Sequence, residues 1–160
     1  MIQREPVVSE ATFFAGLGGG AISSLLPNGI YTIPEVSMVG ETEESLKKKG
    51  VAYIAGRASY QENARGRIIG DQDGFLKLIF RRDDLKLIGV HIMGELATEV
   101  VHIGLVAMMC NADANLFIDA CFNLPTLGLL YKTATLNALG LTSFPPVRPE
   151  SPGNQSPSWP

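Results

Sequence analysis

Two β-prone runs, Gly74 to Phe80 and Leu85 to Ile92, flank a four-residue polar connection, Arg81-Arg82-Asp83-Asp84. So short a connection suits an antiparallel hairpin, and this pairing constrains the fold more than any other feature of the chain. Side chains alternate along a strand. Leu76, Leu78 and Phe80 therefore point to a core and Lys77 to solvent, while Lys86 faces out opposite Leu85 and Leu87.

The segment from Asn28 to Gly50 is punctuated almost residue by residue. Gly29 to Ile33 is a short β-prone run stopped at Pro34, which cannot donate to a sheet ladder, and Val36 to Val39 is a second. Gly40 breaks that strand and Thr42 can cap a helix. Glu43 and Glu44 in its first turn and Lys47 to Lys49 in its last complement the helix dipole, and Gly50 ends it. Val51 to Ala58 reads as a strand, and Gln61 to Gly66 as a polar loop carrying Arg65, with Arg67 just beyond.

Glu95 to Cys110 has the wide apolar coverage of a largely buried helix. Ala114 to Phe122 reads as a shorter helix, and Thr126 to Leu139 as an amphipathic one that follows Pro125 and ends at Gly140. This order predicts an α+β fold, an antiparallel β-sheet covered on one face by helices.

These elements also carry a resemblance. The order strand, Pro34-Glu35, strand, Val39-Gly40-x-Thr42-Glu43, short helix, Gly50 resembles the opening of the C-terminal dimerisation domain of the FAD-dependent pyridine nucleotide-disulfide oxidoreductases. Ala64 to Arg67, Gly74 to Leu78, Leu87 to Gly94, Ala97-Thr98-Glu99 and Leu124 to Leu127 extend it over roughly residues 26 to 140. The wording of Ile30 to Glu35, Thr98 to Gly104 and Phe122 to Thr126 is most similar to the soluble pyridine nucleotide transhydrogenase branch.

The resemblance implies a homodimer, FAD and NAD(P) as cofactors of the full-length family, and the nucleotide-binding domains as further partners. It implies that the backbone at Leu124 and Pro125 approaches the flavin of the partner subunit. Leu127, Leu130, Tyr131 and the face of Glu95 to Met109 are the interface expected by analogy. Disulfide reductases of this family place a His before the Pro and a Glu four residues after it, where this chain has Leu124 and Leu129. Neither leucine can move a proton, so no catalytic residue is expected here. A transhydrogenase passes hydride through flavin without a thiol, which fits the missing His; the missing Glu is a further departure.

Two readings follow. In one, the chain is the dimerisation domain of a transhydrogenase-like flavoenzyme, without FAD- or NAD(P)-binding domains of its own and inactive alone. In the other, it is a stand-alone, non-catalytic homodimerising interaction protein derived from that domain. A third, an independent enzyme, would need Gly16 to Gly20 to act as a dinucleotide-binding turn. Ser23 to Pro27 leaves no room for the helix that such a turn requires, and no acidic partner follows at the expected distance.

The chain is expected to divide into a flexible leader at 1–27, the dimerisation domain at 28–141 and a disordered tail at 142–160, which holds six of the ten prolines. A formal net charge of -3 argues against nucleic acid or an anionic membrane as partner. No apolar run approaches the roughly 20 residues that span a bilayer. Cys110 and Cys121 are expected as buried free thiols in a reducing cytoplasm. His91 and His102 lack clustered ligands at metal spacing and are expected as satisfied structural side chains, with His102 and Glu99 in local contact.

Overall fold

The computed structural model describes residues 25–141. Most of the expected leader and all of the proline-rich tail lie outside the described residues, as does the Gly16 to Gly20 run. Leu25, placed in the leader by sequence, already packs against the core.

Five strands form one antiparallel sheet: β1 (Asn28–Ile30), β2 (Val36–Gly40), β3 (Tyr53–Ser59), β4 (Phe75–Arg81) and β5 (Leu87–Met93). Their spatial order is β1-β2-β5-β4-β3. The β4–β5 hairpin is central, as its sequence demanded, with Leu76 paired to Ile92 and Leu78 to Val90. The first strand is shorter than expected. Tyr31 and Ile33 leave the ladder fully or nearly fully exposed, because the chain turns toward Pro34 and a proline cannot extend the pairing.

Helix α1 (Glu43–Lys49) matches its sequence signals in detail. The Thr42 side chain accepts from the Ser45 N–H, the Ser45 hydroxyl accepts from the Thr42 N–H, and Gly50 closes the helix in the left-handed region. The expected loop at 61–66 is instead a 3₁₀ turn (Tyr60–Glu62) followed by α2 (Ala64–Ile69). Asn63 explains the difference: its side chain accepts from the N–H groups of Arg65 and Gly66, so a polar residue that reads as loop is a helix cap.

The remaining helices are α3 (Ala97–Met109), α4 (Ala114–Asp119) and α5 (Leu129–Ala138). Both α4 and α5 are shorter than the apolar pattern suggested, leaving an irregular stretch from Ala120 to Gly128 between them. Helices α3 and α5 cover one face of the sheet and bury Val39, Leu76, Leu78, Phe80, Val90, Ile92, Val101, Leu130 and Tyr131. Helix α1 covers part of the opposite face, where Leu46 packs with Ala55 and Ile79. None of the helices formed by the described residues is long and apolar enough to cross a membrane.

Candidate self-association site

Helix α3 is held at three places. Its N-terminus has no capping side chain of its own, since Leu96 occupies the cap position. Glu35, delivered by the Pro34-Glu35 turn, supplies the cap: its Oε2 accepts from the Thr98 N–H at 3.0 Å and from the Thr98 hydroxyl at 2.7 Å. The N–H bond, then the hydroxyl bond, hold this carboxyl below its ordinary range despite opposing desolvation.

In the middle of α3, the Tyr131 hydroxyl donates to the Val100 carbonyl at 2.9 Å and accepts from the Gly104 N–H at 3.0 Å. An uninterrupted α-helix would join those two backbone groups to each other. A Cβ at Gly104 would lie 2.6 Å from Val90 and 3.0 Å from that hydroxyl, so glycine permits both contacts. The third hold is the buried stripe of Ala97, Val100, Val101, Ala107 and Met108.

The opposite side of α3 is uncovered and apolar. Val106 is 58% exposed and Met109 54%, with Ile103 exposed beside them and Leu116 exposed on α4. His102, Ile103, Val106 and Cys110 form one wall of an open groove of about 900 Å³, and Leu116, Phe117, Ala120 and Phe122 form the other. Apart from His102, Asn111 and Asp113, its lining is apolar or thiol. Asp113 is the one charged residue of the lining, and so apolar a groove is costly to leave in water.

The sequence expectations meet this geometry unevenly. The outer face of the Glu95 to Met109 helix is exposed and apolar. Leu127, Leu130 and Tyr131 are buried in the subunit's own core, the last two at 1% and 0% exposure, and so present no surface to a partner. Their positions follow from the start of α5 at Leu129: its apolar side is spent against β3, β4 and α3. Both cysteines are exposed instead of buried. Cys110 sits at the exposed C-terminal end of α3 on the groove wall, and Cys121 falls in the irregular stretch after α4, where no helix face is left to cover it.

Leu124 and Pro125 are exposed. Pro125 borders a cleft of about 290 Å³ together with Arg65, Glu99 and Thr126 to Gly128. That volume falls at the bottom of the range for small-molecule sites, roughly 300–1,000 Å³, and the described residues offer no glycine-rich phosphate cradle. Leu124 and Pro125 provide an apolar edge.

A second polar cluster lies on the other face of the sheet. Lys77, expected in solvent, is 15% exposed and pairs with Glu43 at 2.9 Å because α1 descends over it. Tyr53 donates to the same carboxylate at 3.1 Å. Burial would raise the Glu43 carboxyl, but the hydrogen bond and charge of Lys77 outweigh it and hold it low. His91 lies in register with Lys77 on β4 and Met38 on β2. Both of its ring nitrogens are buried without a hydrogen-bond partner, so it is structural but not satisfied. Burial, then the Lys77 charge, push it down to about 4, leaving a neutral ring.

His102 is exposed, and its Nδ1 contacts the Glu99 backbone carbonyl at 3.2 Å rather than the carboxylate. Among the described residues no group of His, Cys, Asp and Glu is arranged to hold a metal ion. What separates core from surface on α5 is the pair of hydrogen bonds made by the Tyr131 hydroxyl, which periodicity does not encode.

Residues 26–135 match the family described as pyridine nucleotide-disulphide oxidoreductase, dimerisation domain. The chain is 51% identical over 118 residues to a soluble pyridine nucleotide transhydrogenase of Mycobacterium tuberculosis, a match covering 74% of this chain and 25% of that protein. It is 43% identical over 125 residues to a soluble pyridine nucleotide transhydrogenase of Marinomonas, covering 76% and 27% respectively. The chain thus matches about a quarter of the length of these curated relatives. In fold it is similar to LpdA of Mycobacterium tuberculosis, with a TM-score of 0.70 at 23% identity over 78% of this chain and 28% of that one. It is also similar to the HOCl-induced flavoprotein disulfide reductase RclA of Escherichia coli, with a TM-score of 0.69 at 21% identity over 79% and 30%.

Proposed function

Since the chain belongs to the pyridine nucleotide-disulphide oxidoreductase dimerisation-domain family, we propose that it self-associates as the dimerisation part of a transhydrogenase-like flavoenzyme of the cytoplasm. The observation that carries this reading is the uncharged, exposed stripe of Ile103, Val106 and Met109 beside an open apolar groove. Burying it against a second copy removes apolar surface from water, worth about 25 cal/mol per Å² before the cost of association.

FAD and NAD(P) belong, in this reading, to nucleotide-binding domains beyond the matched stretch. The exposed edge at Leu124 and Pro125 is the part of this domain that faces the partner subunit's flavin, as a wall with no role in proton transfer. Leu124 and Leu129 carry no titratable group, which supports a flavin reaction without a disulfide step. The same two leucines equally suit a non-catalytic interaction protein.

Light scattering on the purified chain tests self-association. The expected mass is twice that of the chain, and Val106→Asp restores the monomer without loss of helical circular dichroism, because Val106 supports no core contact. Leu130→Asp is the wrong probe, since a charge there unfolds the subunit. A wild-type chain that stays monomeric at every concentration overturns the proposal.

A further inference from the structure

The segment from Tyr60 to Gly74 leaves the sheet after β3 and returns to it before β4 at nearly the same point, where the Tyr60 N–H donates to the Gly74 carbonyl at 2.8 Å. Its side chains reach two other parts of the molecule. On one side the Asp71 Oδ2 accepts from the Glu95 N–H at 2.8 Å and the Tyr60 hydroxyl donates to the Glu95 carbonyl at 3.1 Å, which fixes the turn leading into α3. On the other, Asn63 Nδ2 donates to the Thr126 carbonyl at 3.0 Å. The cleft at Pro125 is lined by the elements these bonds join: Arg65 of α2, Leu96 and Glu99 at the start of α3, and Pro125 to Gly128.

Asn63 is 6% exposed, and the two ends of its amide do separate work. Oδ1 accepts from the N–H groups of Arg65 at 2.9 Å and Gly66 at 3.1 Å, capping α2, while Nδ2 reaches across to the loop. Donors on one side and an acceptor on the other admit a single orientation of the amide. Aspartate and serine cap helices about as well. At neutral pH, however, aspartate has no donor for Thr126, and serine is one bond shorter.

Resting on the reading that the Leu124–Pro125 edge faces the partner subunit's flavin, we propose that Asn63 is the positioning residue of that edge. Its amide ties the carbonyl one residue beyond Pro125 to the N-terminus of α2, and so sets where the edge stands relative to Arg65 and the start of α3. The stretch from Ala120 to Gly128 has neither ladder nor helix, so side-chain bonds decide its position. The bond from the Gly128 N–H to the Thr126 hydroxyl shapes the turn but ties it to nothing else. Leu127, buried in the core, holds the far side of the turn, and Asn63 holds the side that carries Pro125.

Hydrogen exchange on the full 160-residue chain tests the assignment, with the Gly128 amide reporting on the loop and the Arg67 amide, bonded to the Asn63 carbonyl, on α2. Asn63→Asp keeps the cap and loses the donor. At pH 7 it is expected to speed exchange at Gly128 by about tenfold, the scale of one hydrogen bond, and to leave Arg67 at the wild-type rate. Acidification protonates the introduced carboxyl, which can then donate to the Thr126 carbonyl, so protection of Gly128 is expected to return relative to wild type at the same pH. Asn63→Ser is expected to show the same loss with no return, and Asn63→Ala to loosen Gly128 and Arg67 together.

The serine variant carries the comparison if the aspartate variant does not fold. Exchange at Gly128 that stays at the wild-type rate, that rises in every variant only together with Arg67, or that fails to recover in Asn63→Asp on acidification overturns the assignment. Light scattering on the same samples separates the two proposals. A monomeric wild type with the expected exchange pattern overturns the self-association reading and leaves Asn63 as the holder of the loop.

Discussion

The two faces of the sheet are built by different rules. The face under α3 and α5 is closed by apolar packing and by backbones in near contact: a Cβ on Gly56 of β3 would lie 2.1 Å from the Ala134 carbonyl oxygen of α5. The other face is closed only in part, by the single short helix α1, and mixes an apolar trio of Leu46, Ala55 and Ile79 with the Lys77–Glu43 pair and a histidine without partners. The difference teaches that one face defines the fold while the other tolerates unsatisfied polarity.

Substitutions should separate the two faces by size of effect. Gly56→Ala forces α5 away from β3 and is expected to cost about 3 kcal/mol or more, the upper end for overpacking, seen as a lower midpoint in urea unfolding. An unchanged midpoint would show that the first face is looser than its distances indicate. Leu46→Ala empties the apolar trio of the second face and should cost about 2–3 kcal/mol, the lower range for such truncations. Hydrogen exchange should localise that loss to α1, leaving the amides of α3 and α5 protected.

The smallest effect is the pH response of His91. Its folded value of about 4 lies below the ordinary 6.5, so the unfolded chain binds the proton more readily between the two. Stability is then complete above pH 6.5 and declines as pH falls toward 4. His91→Phe should flatten unfolding free energy across that window. A variant with the wild-type slope across that window would show that His91 does not cause it; Glu35 and Glu43 act at lower pH, since their lowered carboxyls lose their contribution only as pH falls below the usual carboxylate range.

How much of this was legible in the sequence depends on whether the signal is local. The hairpin, the capping of α1 by Thr42 and Gly50, and the alternation of Leu76, Leu78 and Phe80 are set by neighbours a few residues apart, and all were readable. Asn63 was misread because the same side chain serves loops and helix caps, and only the following Ala64 to Ile69 turn decides between them. Lys77 was placed in solvent because period-2 alternation assigns a face but not what covers it. The same limit governed the interface: Leu130 and Ile103 are both apolar helix residues, and only the packing of α5 on β3 and β4 shows which one the subunit uses for itself. The cysteines were placed by residue type and by the apolar helical segments around them, neither of which says where a helix ends.

The Tyr131 hydroxyl, lodged between the Val100 carbonyl and the Gly104 N–H, makes two helices share one unit of backbone bonding. Helix α3 cannot open at its centre without breaking both bonds of the Tyr131 hydroxyl, and α5 cannot lift off the sheet without taking that hydroxyl from the Gly104 amide. The two should open as one cooperative unit. The surface offered to a second copy is thus stiffened from behind by a residue that never reaches it, and the Gly104 amide becomes a reporter, buried inside one subunit, of how firmly that surface is held.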